Sequence, residues 1–334
     1  MKKIIGIGNA LVDVLVKLDT DNCLEEWQLP KGGMQLIDEE RFHAIRDRLS
    51  TYPTEKANGG SCSNTMLALA FLGAAPGFIG KRGRDAYGRF FQKNACEAGV
   101  RALLSESDCH TGVASTFITA GGERTFATYL GAASLLEAAD VTSDLLAGYD
   151  ILYVEGYLVQ NHALILKAVQ TAKACGMQVC IDLASYNVVE ADLDFFRALV
   201  HEYVDIVFAN EEESAAFTMG KSPDEALEEL ASCCKIAVIK LGDKGAMARI
   251  GEERAYVEAC KVKDVRDTTA AGDFFAGGFL YGYARGCSLE QCLRMGTLLG
   301  AAVIQTMGTT LSSERWNEIR LNIRHIIENP KLNG

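Results

Sequence analysis

The sequence predicts an α/β protein built on a doubly wound, mostly parallel sheet. Short apolar runs alternate with longer amphipathic segments along most of the chain, and alternation at this spacing is typical of βαβ units. The runs predicted as buried strands are residues 3–7, 151–154, 178–181, 206–208 and 236–239. The segments predicted as helices are residues 64–72, 163–175, 193–202, 223–232, 270–285, 289–307 and 313–329.

Two segments interrupt this alternation and predict additional β-structure. The first begins as a strand at Leu11, passes through acidic, turn-like sequence and ends in a second short apolar stretch. The second contains two β-like stretches, 113–119 and 124–130, joined by Ala120-Gly121-Gly122-Glu123, which has hairpin chemistry. We therefore expect one α/β domain over residues 1–334, with a small sheet formed by insertions at about 11–38 and 111–131.

Charge and cysteine content limit the functional class. The 334 residues include 44 acidic and 33 basic side chains, a formal net charge of -11, and the basic residues form no run. This argues against nonspecific binding to nucleic acid or to an anionic membrane. No apolar run approaches the roughly 20 residues that span a bilayer. The sequence has 11 cysteines, an odd number, and no two of them form a Cys-x-x-Cys motif. We therefore expect reduced thiols rather than disulfides, and a cytoplasmic protein.

The most specific motif is Asp267-Thr268-Thr269-Ala270-Ala271-Gly272-Asp273, at the start of a predicted helix. Small residues there leave the first N–H groups of the helix uncovered, and with the positive end of the helix dipole these groups form an anion site. The carboxylate of Asp273 is placed to accept a proton from a hydroxyl that attacks a bound phosphate. The simpler alternative is that aspartate is favoured in any first helical turn.

Polar residues near the ends of strands predict a second part of the site. Gly59 and Gly60 permit close backbone approach to a ligand, and Asn64 offers both a donor and an acceptor to sugar hydroxyls. A purely structural turn before a helix is the alternative. Asn9 and Asp13 flank the end of the first strand, where ligand sites of α/β sheets lie. Asp13 stands in an apolar run, so its carboxylate needs partners, either ribose hydroxyls or a backbone cap.

Two further motifs follow strands in the second half of the chain. Asn210 and Glu213 come after the strand at 206–208, where they would arrange water around a magnesium–phosphate complex or simply begin a solvated helix. Lys240, Gly242 and Gly245 come after the strand at 236–239. These glycines would line the phosphates of a nucleotide or form a plain hairpin.

Taken together, these motifs resemble the ribokinase-like family of sugar and nucleoside kinases. Both family signatures are present in order, at 59–64 and 267–273, with the Asn-x-x-Glu pair and the glycine string between them. The resemblance spans nearly the whole chain. It implies a three-layer α-β-α fold with a mostly parallel central sheet and a small β lid.

The resemblance also implies roles for the site residues. Asp273 would be the catalytic base. It ends the segment that starts at Ala270, and the backbone N–H groups of Ala271, Gly272 and Asp273 would hold the transferred phosphoryl group. Asp267 and the carbonyl of Thr269 would form a monovalent-cation site, with K⁺ as the candidate ion. Arg124 would reach the phosphates when the lid closes. Mg²⁺ would arrive with ATP and be held through water near Glu213. The implied ATP-binding residues are Asn210, Glu213, Lys240, Gly242 and Gly245.

The amino-terminal sequence is similar to the adenosine-kinase-like branch of the family. In that branch the residues matching Asn9 and Asp13 hold the ribose, and an aromatic residue at the position of Tyr157 lies against the purine. Packing at the core or rim is the alternative for Tyr157. We expect ATP-dependent phosphorylation of the 5′-hydroxyl of adenosine or a close purine nucleoside, a reaction of purine salvage. A ribose or fructose kinase, or a nucleoside-binding protein without transfer activity, remains open, as does a monomer or a homodimer.

Overall fold

The computed structural model describes residues 1–18, 20, 22–31, 33–119 and 124–329. The strands are β1 (Ile4–Ile7), β2 (Leu11–Lys17), β3 (Met34–Leu36), β4 (Thr54–Gly59), β5 (Gly77–Gly83), β6 (Arg101–Ser107), β7 (Gly112–Ile118), β8 (Arg124–Tyr129), β9 (Ile151–Glu155), β10 (Gln178–Asp182), β11 (Ile206–Asn210), β12 (Ile236–Lys240), β13 (Ala246–Ile250) and β14 (Glu253–Val257). The helices are α1 (Asn22–Glu26), α2 (Glu39–Leu49), α3 (Ser61–Phe71), α4 (Ala86–Glu97), α5 (Ser143–Leu146), α6 (His162–Ala174), α7 (Tyr186–Ala191), α8 (Leu193–Tyr203), α9 (Glu211–Phe217), α10 (Pro223–Cys233), α11 (Ala271–Ala284), α12 (Leu289–Val303) and α13 (Ser313–Glu328).

The central sheet has nine strands in the order β14-β13-β12-β11-β10-β9-β1-β5-β6 within the described part of the chain. Pairing is parallel from β12 through to β6, and β13 and β14 add an antiparallel edge. Every residue of β1 and β9 is buried because helices cover both faces. The predicted strands and the mostly parallel sheet are confirmed.

Helices form a layer on each face of this sheet. One apolar cluster joins the sheet to α3, α11, α12 and α13, with Phe274, Phe279 and Trp316 in its interior. The other joins the sheet to α6, α8 and α10, with Phe196 and Leu227 in its interior. The predicted α/β layers are therefore confirmed. No helix among the described residues is long and apolar enough to cross a bilayer.

A second sheet of five strands has the order β3-β8-β7-β2-β4. Strands β2 and β3 come from the first predicted insertion, and β7 and β8 come from the second. Strand β4 lies outside both predicted insertions and pairs antiparallel with β2. The joint predicted at 120–123 lies outside the described residues.

The two sheets meet where the chain passes from one to the other. Strand β2 begins at Leu11, four residues after β1 ends, and β7 begins at Gly112, shortly after β6 ends. Alternate residues of β8 are buried and half-buried, which is typical of a sheet with one covered face and one open face. The small sheet therefore lies beside the carboxyl ends of the central strands.

Candidate active site

Five polar side chains lie at the carboxyl edge of the central sheet. Asn9 follows β1, and Glu155, Asp182, Asn210 and Lys240 are the last residues of β9, β10, β11 and β12. Strand register places Asp182 opposite Glu155, and Asn210 opposite Lys240. Ligand sites of open α/β sheets lie at this edge.

The amino-terminus of α11 faces the same edge. Ala270 precedes the helix with φ of 60°, a left-handed conformation that costs a non-glycine residue free energy and recurs at functional sites. A Cβ atom on Gly272 would lie 3.1 Å from Nζ of Lys240, so the glycine lets the ammonium group approach the helix. The N–H of Ala271 donates to the carbonyl of Thr268 at 3.2 Å. Free first-turn donors are thus expected from Gly272 and Asp273.

The carboxylate of Asp273 is held by two side chains from α3. Its Oδ1 accepts a hydrogen bond from the Ser61 hydroxyl at 2.7 Å, and its Oδ2 accepts one from the Asn64 amide at 2.9 Å. Burial raises the pKa of Asp273 to about 6, although these two hydrogen bonds lower it. A carboxylate with this pKa is ionised at neutral pH and is a stronger base than an exposed aspartate.

Asn64 has one polar atom left for a ligand. Its amide nitrogen is used by Asp273, whereas its amide oxygen is buried without a hydrogen-bond partner among the described residues. Buried polar atoms are almost always paired, so an unpaired acceptor here points to a donor supplied by a substrate hydroxyl. Gly60, at φ of 90°, directs the chain into this helix, and a Cβ there would lie 2.2 Å from the Asn9 carbonyl oxygen.

Glu155 connects two of the predicted substrate segments and was not among the sequence-predicted site residues. The side chain is 2% exposed. Its Oε1 accepts from the Asn9 amide at 2.6 Å, and its Oε2 accepts from the backbone N–H of Cys62 at 3.0 Å. Burial raises the pKa of Glu155 to about 7 against the lowering effect of these donors. Glu155 therefore fixes Asn9 and the start of α3 relative to each other.

Asp182 and Lys240 form a buried ion pair beside the start of α11. The distance from Lys240 Nζ to Asp182 Oδ2 is 2.8 Å, and the two side chains are 14% and 6% exposed. Burial would lower the pKa of Lys240, but the charges of Asp182 and Glu213 raise it above its usual value. Lys240 is thus a permanent cation beside the amino-terminus of α11. Asp182 is a second residue that the sequence reasoning missed.

Glu213 and Asn210 cap α9 reciprocally. The backbone N–H and amide of Asn210 each donate to Glu213 at 2.8 Å, and Asn210 Oδ1 accepts from the Glu213 N–H at 2.8 Å. Burial raises the pKa of Glu213 to about 7, and Lys240 opposes this rise. Each Glu213 oxygen accepts only one of these bonds, so each keeps a lone pair for a further hydrogen-bond donor.

Gly242 and Gly245 lie in the turn between the antiparallel strands β12 and β13. Their φ angles are 58° and 106°, values that favour glycine. A Cβ on Gly245 would lie 2.0 Å from the carbonyl oxygen of Val257, so hairpin packing already requires this glycine. An ion pair of 3.1 Å between Lys244 and Glu211 ties the turn to the start of α9.

Asp13, in the small sheet, has a carboxylate with no hydrogen-bond partner within the described part of the chain. A Cβ on Gly59 would lie 2.0 Å from its Oδ1, so the glycine leaves room for this side chain. Burial, followed by the charges of Asp273 and Asp267, raises the pKa of Asp13 to about 7. The charges of Asp273 and Asp267 therefore disfavour a charged carboxylate at Asp13.

Tyr157 lies in the short 3-10 segment Gly156–Gln160 that follows β9. The residue is 37% exposed, and its hydroxyl donates to the carbonyl of Ala184 at 3.3 Å. This hydrogen bond fixes the ring at the carboxyl edge of the sheet, next to Glu155.

Arg124 connects the small sheet to the segment before α11. Its Nη1 lies 2.5 Å from Asp267 Oδ2 and 3.4 Å from the Thr269 hydroxyl. Asp267 also accepts backbone hydrogen bonds from Thr269 at 2.9 Å and from Gly308 at 2.7 Å. The guanidinium group and two N–H donors therefore already contact the carboxylate to which the family resemblance assigned a monovalent cation.

Comparison with known proteins identifies the family. Residues 37–316 match the pfkB family of carbohydrate kinases. The chain belongs to this family. It is therefore an ATP-dependent kinase that acts on an alcohol group, with ATP as co-substrate. The expected ribokinase-like fold and adenosine-kinase-like branch are confirmed.

Individual relatives include both nucleoside and sugar kinases. The adenosine kinase of Saccharomyces cerevisiae is 29% identical, over 93% of this chain and 97% of the relative. The 5-dehydro-2-deoxygluconokinase of Bacillus subtilis is 30% identical, over 81% of this chain and 88% of the relative. Among solved structures, adenosine kinase from Sinorhizobium meliloti has a TM-score of 0.86 at 35% identity, covering 96% of this chain and 99% of that one. The family thus leaves a nucleoside or a sugar as the acceptor.

Proposed function

We propose that this kinase phosphorylates the 5′-hydroxyl of adenosine or a close purine nucleoside. The observation that carries the proposal is the Asp273 carboxylate, which Ser61 and Asn64 hold at the amino-terminus of α11. A base beside a helix amino-terminus suits transfer of a phosphoryl group to a hydroxyl. The base accepts the proton of the hydroxyl, and the neighbouring N–H groups of the helix stabilise the negative charge of the phosphoryl group.

In the proposed reaction the oxygen of the 5′-hydroxyl attacks the γ-phosphorus of ATP, while Asp273 accepts the proton of that hydroxyl. The bond between that phosphorus and the β–γ bridging oxygen breaks, and ADP leaves. The N–H groups of the 271–273 segment stabilise the transferred group, with Gly272 and Asp273 as the free donors. Lys240, held by Asp182, adds a positive charge 3.1 Å from the point that a Cβ atom on Gly272 would occupy.

Mg²⁺ and ATP would lie along the edge formed by Asn210, Glu213 and Lys240. Oxygen donors and partial hydration are what Mg²⁺ prefers, and the remaining lone pairs of Glu213 suit contact through water. When bound, Mg²⁺ neutralises charge on the phosphates. Gly242 and Gly245 are proposed to border the nucleotide, in addition to their role in the turn. Because Arg124 pairs with Asp267, no step of the proposed reaction is assigned to K⁺.

The nucleoside would lie between the two sheets. Asn9 and Asp13 are proposed to bind ribose hydroxyls, and the unpaired oxygen of Asn64 to accept another. Gly59 and Gly60 permit close approach of the backbone, and Tyr157 would stack on the base. The ring of Tyr157 and the free carboxylate of Asp13 favour a nucleoside over a free sugar.

We also propose that residues 1–334 form a single domain in which the small sheet acts as a lid. Arg124 already bridges this sheet to Asp267. Closure would exclude water, which competes with the nucleoside for the phosphoryl group.

A sugar kinase acting on ribose or fructose is the second candidate. The similarity to a 5-dehydro-2-deoxygluconokinase at 30% identity favours an acceptor without a base. The alternative shares Asp273 and the anion site and differs only in what fills the space beside Tyr157.

A substrate panel distinguishes these functions. ADP release from Mg-ATP is measured with adenosine, inosine, guanosine, ribose and fructose, and the product is identified by mass spectrometry. We expect the highest kcat/KM with adenosine and AMP as the product. Release only with sugars would establish the second candidate. No release with any acceptor would contradict both.

A further inference from the structure

A cluster of two histidines and a glutamate lies apart from the proposed active site. Glu39 and His43 are one turn apart in α2, so their side chains lie on the same face of that helix. His110 lies in the connection between β6 and β7. The three residues bring one ligand-capable atom each to within 4.8 Å of one another.

The geometry of the cluster approaches that of a tetrahedral metal site. Zinc binds histidine nitrogen and carboxylate oxygen at about 2.0–2.1 Å, which places two ligand atoms about 3.3 Å apart. The separation between His43 Nε2 and Glu39 Oε1 is 3.5 Å. The rings of His43 and His110 are 4.9 Å apart and nearly perpendicular, at 75°. The ligand atom of His110 lies within 4.8 Å of the other two, so the cluster has to contract when it binds an ion.

A fourth residue, Asp85, orients His110. Its Oδ2 lies 3.3 Å from His110 Nδ1. Asp85 is itself fixed because its carboxylate accepts from the hydroxyl of Thr111 at 2.7 Å and from the N–H of Gly88 at 2.8 Å. Histidines that bind metals usually donate their other ring N–H to a carboxylate in this way, which leaves Nε2 for the ion.

The cluster is open to solvent on one side. The side chains of Glu39, His43 and His110 are 58%, 33% and 39% exposed. An ion can therefore enter without unfolding, and a fourth coordination position remains for water.

We propose that Glu39, His43 and His110 bind one divalent transition-metal ion of the zinc type. The two imidazoles and one carboxylate match the nitrogen and oxygen ligands that zinc takes. The bound ion would join α2 to the connection through which the chain passes from the central sheet into the small sheet. It would thereby stabilise the junction between the two sheets.

The test measures binding of Zn²⁺ to the full-length chain after treatment with a chelator, in a phosphine reductant. Competition with a chromophoric chelator gives the affinity for wild type, His43→Ala and His110→Ala. His162→Ala is the matched control, because His162 is also half-exposed and pairs with a carboxylate, Asp192, at 3.0 Å. All variants keep the 11 cysteines, so thiol binding is common to them and cancels in the comparison.

We expect wild type and His162→Ala to bind one Zn²⁺ at least about tenfold more tightly than His43→Ala and His110→Ala. Equal affinity in all four proteins would overturn the proposal. The same loss in His162→Ala as in the cluster variants would overturn it too.

Thermal unfolding provides a second readout. Binding to the folded state alone raises the melting temperature, so Zn²⁺ should raise it in wild type and in His162→Ala but not in His43→Ala. Asp85→Asn should weaken binding about 10- to 100-fold while circular dichroism shows a folded protein. An equal Zn²⁺-induced shift in wild type and His43→Ala would contradict the site.

Discussion

The two sheets contribute to the candidate active site in different ways. The central sheet brings buried charges that already have partners, as the Glu155 contacts to Asn9 and the Asp182–Lys240 pair show. The small sheet brings Asp13, whose carboxylate has no hydrogen-bond partner among the described residues, and Arg124, which reaches across to Asp267.

Under the proposed function, this difference separates a preassembled part of the site from a part that bound substrate would complete. Helices on both faces of the central sheet hold its strand ends in place, so charged groups there can be positioned before any ligand arrives. The small sheet has one open face, and it reaches the site through Asp13, Gly59 and the contact of Arg124 with Asp267. The polar groups of the small sheet are therefore the ones to which a bound nucleoside would supply missing hydrogen-bond partners.

The largest expected effect comes from Lys240→Met, which breaks the buried ion pair between Asp182 and Lys240. It leaves the Asp182 charge buried without its partner, so we expect the free energy of unfolding to fall by about 3–5 kcal/mol. Lys244→Met is the matched control, because Lys244 forms an exposed ion pair with Glu211 in the next turn and should cost less than about 1 kcal/mol. Chemical denaturation measures both. Equal losses would mean that the pair is not buried as described.

The charge of Glu155 should give the central sheet a dependence on pH. Its pKa is about 7 in the folded state and near its usual value of 4.5 in the unfolded state. Between these values the folded chain holds a proton that the unfolded chain has lost, so stability falls as pH rises towards 7. The decrease from Glu155 alone is about 3 kcal/mol between pH 4 and 8.

Glu155→Gln removes this contribution, and Glu202→Gln on the exposed end of α8 is the control. The difference in unfolding free energy between wild type and Glu155→Gln should decrease by that amount across the range. Parallel curves for the two proteins would contradict a buried, proton-binding Glu155.

The base itself is tested by Asp273→Asn. Binding of adenosine should persist, because the new amide can keep its oxygen towards the Asn64 amide nitrogen and donate from its own nitrogen to the Ser61 hydroxyl, which leaves the Asn64 oxygen for the ligand. Turnover should fall at least about 10²-fold because the proton acceptor is lost. Asp264→Asn, at an exposed residue paired with Arg266, should be unchanged. Near-normal turnover in Asp273→Asn would assign the base elsewhere.

The smallest effect on activity is expected from the bridge between the sheets. Arg124→Ala removes the contact that holds the small sheet near Asp267, and we expect kcat/KM to fall about tenfold through poorer closure. Arg46→Ala, at a partly exposed arginine of α2 that pairs with Asp47, is the control. Steady-state kinetics measure both variants. A loss as large as that of Asp273→Asn would show that Arg124 acts on the reacting groups rather than on closure.

The sequence predicted polar groups that belong to a recognisable motif better than those that stand alone. Asn210 and Lys240 end their strands within motifs and were predicted, whereas Glu155 and Asp182 come directly after the predicted runs 151–154 and 178–181 without such a motif and were not. Strand β4 was not predicted because its first half, which includes Glu55 and Lys56, is polar and exposed and so lacks the apolar pattern of a buried strand.

Partners distant in sequence could not be predicted from local pattern. The pairs of Asp182 with Lys240 and of Arg124 with Asp267 depend on strand order and on how the two sheets meet. The role of Ser61 depended on the same packing, because only the contact of α3 with α11 brings it to Asp273.

The pH dependence of kcat/KM with adenosine shows most clearly whether Asp273 is the base and whether α3 tunes it. Because the base must be ionised, activity should rise with pH through an apparent pKa of about 6 in wild type. Ser61→Ala removes one hydrogen bond that lowers the pKa of Asp273, so this midpoint should move to higher pH. A midpoint that is identical in wild type and Ser61→Ala would contradict both roles.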